Sequence, residues 1–101
     1  MTSTIDVLHA AADLTLTHGP DPAGCIRAAV YGRPDASLPY WDTTESLLVE
    51  EAEYRLQCHV NPGSVDANED TTVDEWAVGR SVADVRAALF AAAAELEAGV
   101  R

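Results

Sequence analysis

From Ser81 to Gly99 the chain reads SVADVRAALFAAAAELEAG, and this run constrains the fold more than any other. Its apolar residues Val82, Val85, Leu89, Ala92 and Leu96 follow a 3-4-3-4 spacing, which places all five on one stripe of an α-helix and does not suit the twofold alternation of a strand. Phe90 and Ala93 widen the stripe, while Asp84 and Glu95 mark the opposite side. Ser81 offers an N-cap hydroxyl, and Asp84 stands three residues on, where a capping box has its carboxylate. Gly99 suits the left-handed position that closes a helix. Such a helix needs apolar partners, and the rest of the chain offers more helices. Alanine is abundant and aromatic residues make up only 6%, which favours closely packed helices over a β-sandwich.

Glycine, proline and capping residues divide the remainder into segments. A first helix is expected over Thr4 to His18, capped by Ser3 or Thr4 and stopped by Gly19-Pro20, with Ile5, Leu8, Ala12 and Leu16 as its stripe and Ala11 and Thr15 beside it. Asp21 caps a second, short helix with Pro22 at its first position; it ends at Gly32 and is apolar nearly throughout, Arg27 excepted. Residues 33–41 read as a loop ending in Tyr40-Trp41, with Trp41 either folded over the next helix start or exposed as an aromatic anchor for a partner. Asp42 and Glu45 form a D-x-x-E box for a third helix that ends near Val60. One line of it is Leu48, Ala52, Leu56 and His59; a flanking line is Leu47, Tyr54 and Cys58; Glu50, Glu51 and Glu53 make its middle strongly acidic. An acidic irregular stretch leads to a short helix over Thr72 to Val78, stopped by Gly79.

The expected architecture is therefore all-α: four main helices plus one short helix before the C-terminal helix, in a compact bundle-like single domain over residues 1–101. The first, second and last helices supply its core through Ile5, Leu8, Ile26, Val85, Leu89 and Phe90, with Trp76 packed at the junction before the last helix.

The chain has six arginines, no lysine and a formal charge of −11, an acidic balance that repels nucleic-acid phosphate and anionic membranes. No positively charged region followed by an apolar run stands at the N-terminus, and no apolar run approaches the ~20 residues that span a bilayer. The expected compartment is the cytoplasm, where Cys25 and Cys58 stay reduced and act as small buried hydrophobes.

Asp66, Asn68 and Asp70 match positions 1, 3 and 5 of an EF-hand loop, and Asp74 falls at position 9. Thr71 stands where the loop turns on glycine, and Ala77 where a bidentate glutamate closes it. The stretch reads as an acidic solvated loop, with a Ca²⁺ site as the alternative. Cys25, Cys58 and His59, with His9 or His18, lack the paired ligand spacings of a structural zinc site. No G-x-S-x-G, H-E-x-x-H, P-loop or G-x-G-x-x-G occurs, so neither an active site nor a cofactor is expected.

Three stretches, IDVLHAAADL with a following His-Gly, GCIRAAVYG, and EWAVGRSVADVRAALFAAA, together resemble the DUF6197-type family of small actinobacterial and phage proteins. That family combines an amphipathic first helix, a Cys-x-x-x-Ala segment and a Trp-Asn-Asp…Gly-Arg-Thr element before a last helix. Trp76, Gly79, Arg80 and Ser81 match the last element, while Ala77 and Val78 replace its Asn-Asp. The resemblance implies a compact helical domain of actinobacterial or phage origin and carries no activity.

The function expected on these grounds is a small acidic binding or regulatory module that contacts a protein partner, a basic one where charge steers the encounter. The alternatives are an acidic decoy that mimics nucleic acid and a Ca²⁺-responsive domain. Candidate contact residues are Tyr40, Trp41, Glu50, Glu51 and Glu53, together with Asp84, Ala88, Ala91 and Glu95, a flat face of the last helix suited to a homodimer.

Overall fold

A computed structural model describes residues 3–37, 43–61 and 71–99. They form five helices and, among the described residues, no strand: α1 (Thr4–His18), α2 (Pro22–Tyr31), α3 (Thr44–Val60), α4 (Val73–Ala77) and α5 (Val82–Glu97). This is the expected all-α, bundle-like architecture, with the short helix directly before the last. The Cα radius of gyration is 12.6 Å, close to the ~13 Å of a compact chain of about 100 residues.

The helix boundaries follow local chemistry. Ser3 caps α1 with a reciprocal box: its hydroxyl accepts from the Asp6 N–H, and the Asp6 carboxylate accepts from the Ser3 N–H. Asp21 Oδ1 accepts from Gly24 N at 3.1 Å to start α2, with Pro22 in its first turn. Thr72 and Ser81 cap α4 and α5 through their hydroxyls. Between those two helices the chain turns at Gly79, whose φ of +78° suits a residue without Cβ.

One start differs from expectation. The cap of α3 is Thr43 and not Asp42, which lies outside the described residues. Thr43 Oγ1 accepts from Ser46 N at 3.0 Å and Ser46 Oγ accepts from Thr43 N at 2.8 Å, a hydroxyl-only box one residue later than the D-x-x-E pair. Ser46 is buried by this arrangement, and Glu45 points to solvent.

Helix α1 occupies the centre. It packs most extensively on α5, nearly as much on α2, and also touches α3; α4 rests on α2 and α3. Ala11 and Ala12 of α1 and Ala88, Ala92 and Ala93 of α5 are all buried, small side chains that let neighbouring helix axes come close. Leu8, Ile26, Val85 and Leu89 are fully buried as expected, whereas Ile5 and Phe90 border the core and are only partly covered.

Two stripes are rotated from the sequence reading. On α1 the buried set is Val7, Leu8, Ala11, Ala12 and Thr15, leaving Leu16 72% exposed; Thr15 tolerates burial because its hydroxyl donates to the Ala12 carbonyl at 2.6 Å. On α3 the buried line is Val49, Ala52 and Leu56, so this helix joins the core alongside α1, α2 and α5. Trp76 packs against the core from α4, and the Arg80 guanidinium stacks 4.5 Å over its ring while donating to the Trp76 carbonyl. The α3 C-terminus is tied to Thr71 by the Asn61 side-chain amide: Nδ2 donates to the Thr71 carbonyl at 2.8 Å, and Oδ1 accepts from the Thr71 N–H at 2.9 Å.

Candidate interaction face

The outer side of α3 is the most distinctive surface among the described residues. At about 100° per residue, Leu47 and Tyr54 lie within about 20° of one another, opposite the buried line of Val49, Ala52 and Leu56. Both are large and stay open, at 50% and 54% exposure. Glu50 falls on one side of this ridge and Glu51 on the other. Arg55 donates from Nε to Glu51 at 2.8 Å, and its guanidinium lies 5.7 Å from the Tyr54 ring centre. The ridge therefore presents an apolar centre with a carboxylate on each flank.

Glu53 does not belong to this face. It follows Val49 by four residues and precedes Leu56 by three, so it borders the core, with Arg27 Nε of α2 4.0 Å from its Oε1. Burial pushes its carboxyl above the usual range; Arg27 works against that rise, and Asp74 and Glu50 add to it.

No family model, curated protein or solved structure matches this chain. The site thus rests on its own geometry.

The candidate face of α5 is interrupted. Asp84 is exposed and Ala91 half-buried, but Ala88 is buried in the core, since its helical position falls between the outer face and the stripe that meets α1. Glu95 is engaged within the chain: its carboxylate meets His59 Nδ1 of α3 at 2.5 Å. Asp84, Ala88, Ala91 and Glu95 therefore do not make one flat, free face. Tyr40 and Trp41, and the cation candidates Asp66, Asn68 and Asp70, lie outside the described residues.

Cys25 is buried, its thiol donating to the Gly19 carbonyl at 3.7 Å. Burial first, and then the Asp21 carboxylate, push that thiol up to about 11, so it stays protonated and a poor nucleophile at neutral pH. His9 sits against the Phe90 ring, and His59 is occupied by Glu95. No group of three or more His, Cys, Asp or Glu among the described residues is placed to hold a metal ion. Two open hollows flank α4. One, of about 260 Å³, is lined by Pro20, Asp21, Pro22, Asp74, Ala77 and Val78; the other, of about 200 Å³, has Asp21, Arg27 and Asp74 in its wall.

Sequence reasoning put Leu47, Tyr54 and the glutamates on α3 but did not single out the Leu47–Tyr54 ridge. Their seven-residue spacing was the available signal, since it returns to the same side after two turns.

Proposed function

We propose that this chain is a small acidic binding and regulatory module without catalysis of its own, which acts by protein–protein contact through the outer face of α3. The observation that carries the reading is the ridge of Leu47 and Tyr54, half exposed and flanked by Glu50 and Glu51. An exposed pair of large apolar groups anchors a contact, and tyrosine contributes area and a polar tip at little entropic cost. Glu50, with Glu51 already holding Arg55, and the −11 of the whole chain define the complement: an apolar contact rimmed by lysine or arginine. A second copy fits poorly, because the same glutamates would face one another and each chain carries −11. The actinobacterial or phage origin implied by the DUF6197-type resemblance belongs to the same proposal.

The acidic-decoy reading draws less support. Of the carboxylates it needs, Glu45, Glu50, Glu51 and Glu53 fan around α3 at about 100° per residue instead of lining up as phosphates do, and Glu53 turns inward to Arg27. Asp74 stands on α4, and Asp66, Glu69 and Asp70 lie outside the described residues.

The test is capture from an actinobacterial lysate eluted with rising salt, using the wild type beside Leu47→Ser/Tyr54→Ser and Glu50→Gln/Glu51→Gln, each checked by circular dichroism. A basic protein retained by the wild type, released early in the gradient and lost by both variants is the expected outcome. Equal recovery by all three proteins would rule out the α3 face.

A further inference from the structure

The junction of α2, α3 and α4 holds a charge imbalance beneath a very small helix. Glu53 is mostly covered, its side chain 27% exposed, and its Oε1 is buried without a hydrogen-bond partner. The cation facing it is Arg27 of α2, at the outer limit of an ion pair at 4.0 Å; Arg27 Nε is itself buried and unpartnered, and a terminal guanidinium nitrogen is diverted to the Ala36 carbonyl at 3.3 Å. The other charged groups bearing on Glu53 are both carboxylates, Asp74 from α4 and Glu50 from α3 itself. A largely covered carboxyl thus has one imperfectly placed cation, Arg27, and that cation shares the wall of a hollow with Asp74.

Helix α4 is the element that such an imbalance moves. It has five residues, far below the ~12 at which an isolated helix begins to persist, and it buries Val73 and Ala77. It packs on α2 and α3, with Asp74 exposed in its first turn.

We propose that Glu53 is a proton-operated latch for α4: protonated, it lets α4 dock on α2 and α3, and ionised, it repels Asp74 and loosens that docking. Glu53 is the covered carboxyl whose proton affinity burial raises, so it takes the proton. Because its folded-state affinity for the proton is raised, the docked state gains most below the ordinary glutamate range, and the gain is lost as pH rises through the raised value. Loosening opens the hollow between α2 and α4 and uncovers Val73 and Ala77, so rising pH exposes apolar surface at one end of the bundle.

Amide hydrogen exchange on the full chain, followed by NMR from below the ordinary glutamate pKa of ~4.3 up to about pH 8 and corrected for intrinsic base catalysis, tests this. The Trp76 N–H, bonded to the Thr72 carbonyl, reports on α4, and the Val85 N–H, bonded to the Ser81 carbonyl, serves as the α5 reference. Protection at Trp76 relative to Val85 should be lost progressively as pH rises through the raised Glu53 value. Glu53→Gln should flatten the profile, and Asp74→Asn, which removes the group that ionised Glu53 repels, should shrink the fall and move its midpoint to lower pH. An unchanged fall in Glu53→Gln, or an unmoved midpoint in Asp74→Asn, would overturn the latch; if Glu53→Gln does not fold, the Asp74→Asn midpoint decides alone.

Discussion

Gly24 stands at the third position of α2, where alanine would ordinarily be the better helix former by up to ~1 kcal/mol. The cap reverses that preference. A Cβ at Gly24 would come within 2.2 Å of Asp21 Oδ2 and 3.2 Å of Pro34 Cβ, because the Asp21 carboxylate folds back over the helix start. Gly24→Ala is expected to lower stability by about 1 kcal/mol, the usual worth of an aspartate cap. In an Asp21→Ala background the same change should be neutral or stabilising. A double-mutant cycle from urea unfolding measures that coupling, and additive costs would show that the carboxylate moves aside freely. The same aspartate helps to hold the Cys25 thiol protonated, so one side chain both starts the helix and quiets its neighbour.

At the level of the helices, packing depends on which residues of a stripe meet another helix. Leu89 is fully buried, and Leu89→Ala should cost about 2–5 kcal/mol through lost transfer energy and the cavity left behind. Leu16, one position beyond the buried edge of α1, should accept serine within about 0.5 kcal/mol. Thermal unfolding of the two variants checks both, and a large loss at Leu16 would place it in an interface the isolated chain lacks. These two leucines also mark what was legible beforehand. Ser3, Asp21, Thr72 and Ser81 could be read as caps because a cap is made by residues three apart and needs no distant partner. The buried faces were harder to read. With alanines on several sides of α1 and consecutive large apolar residues Leu47, Leu48 and Val49 in α3, the stripe of α1 could centre on Leu16 or Thr15, and that of α3 on Leu48 or Val49, one position and about 100° apart. Distant neighbours decided between them. The inward turn of Glu53 follows only once Val49 and Leu56 are known to point inward, so a run of three glutamates gave no sign that one differs.

For the molecule as a whole, charge works against compaction. A formal −11 on 101 residues is carried largely by exposed carboxylates, and several of the arginines are already committed within the fold, Arg27 toward Glu53, Arg55 to Glu51 and Arg86 to Asp13. Screening should therefore stabilise the domain. Raising NaCl from about 10 mM to about 0.5 M, which shortens the Debye length from ~30 Å to a few ångströms, is expected to raise the melting temperature by at least ~4 °C if repulsion costs about 1 kcal/mol. Calorimetry across that range measures it, and a flat response would mean that the carboxylates are too far apart to repel. The Asn61 clasp carries a consequence of another kind. By gripping both the N–H and the carbonyl of Thr71, one side chain fixes the separation of the two chain ends that bracket residues 62–70. Chain entropy rises only slowly with the length between fixed ends, ~0.6 kcal/mol for each doubling. A foreign epitope or a reporter peptide spliced between those two anchors would therefore add little in chain entropy, provided Asn61 and Thr71 are kept.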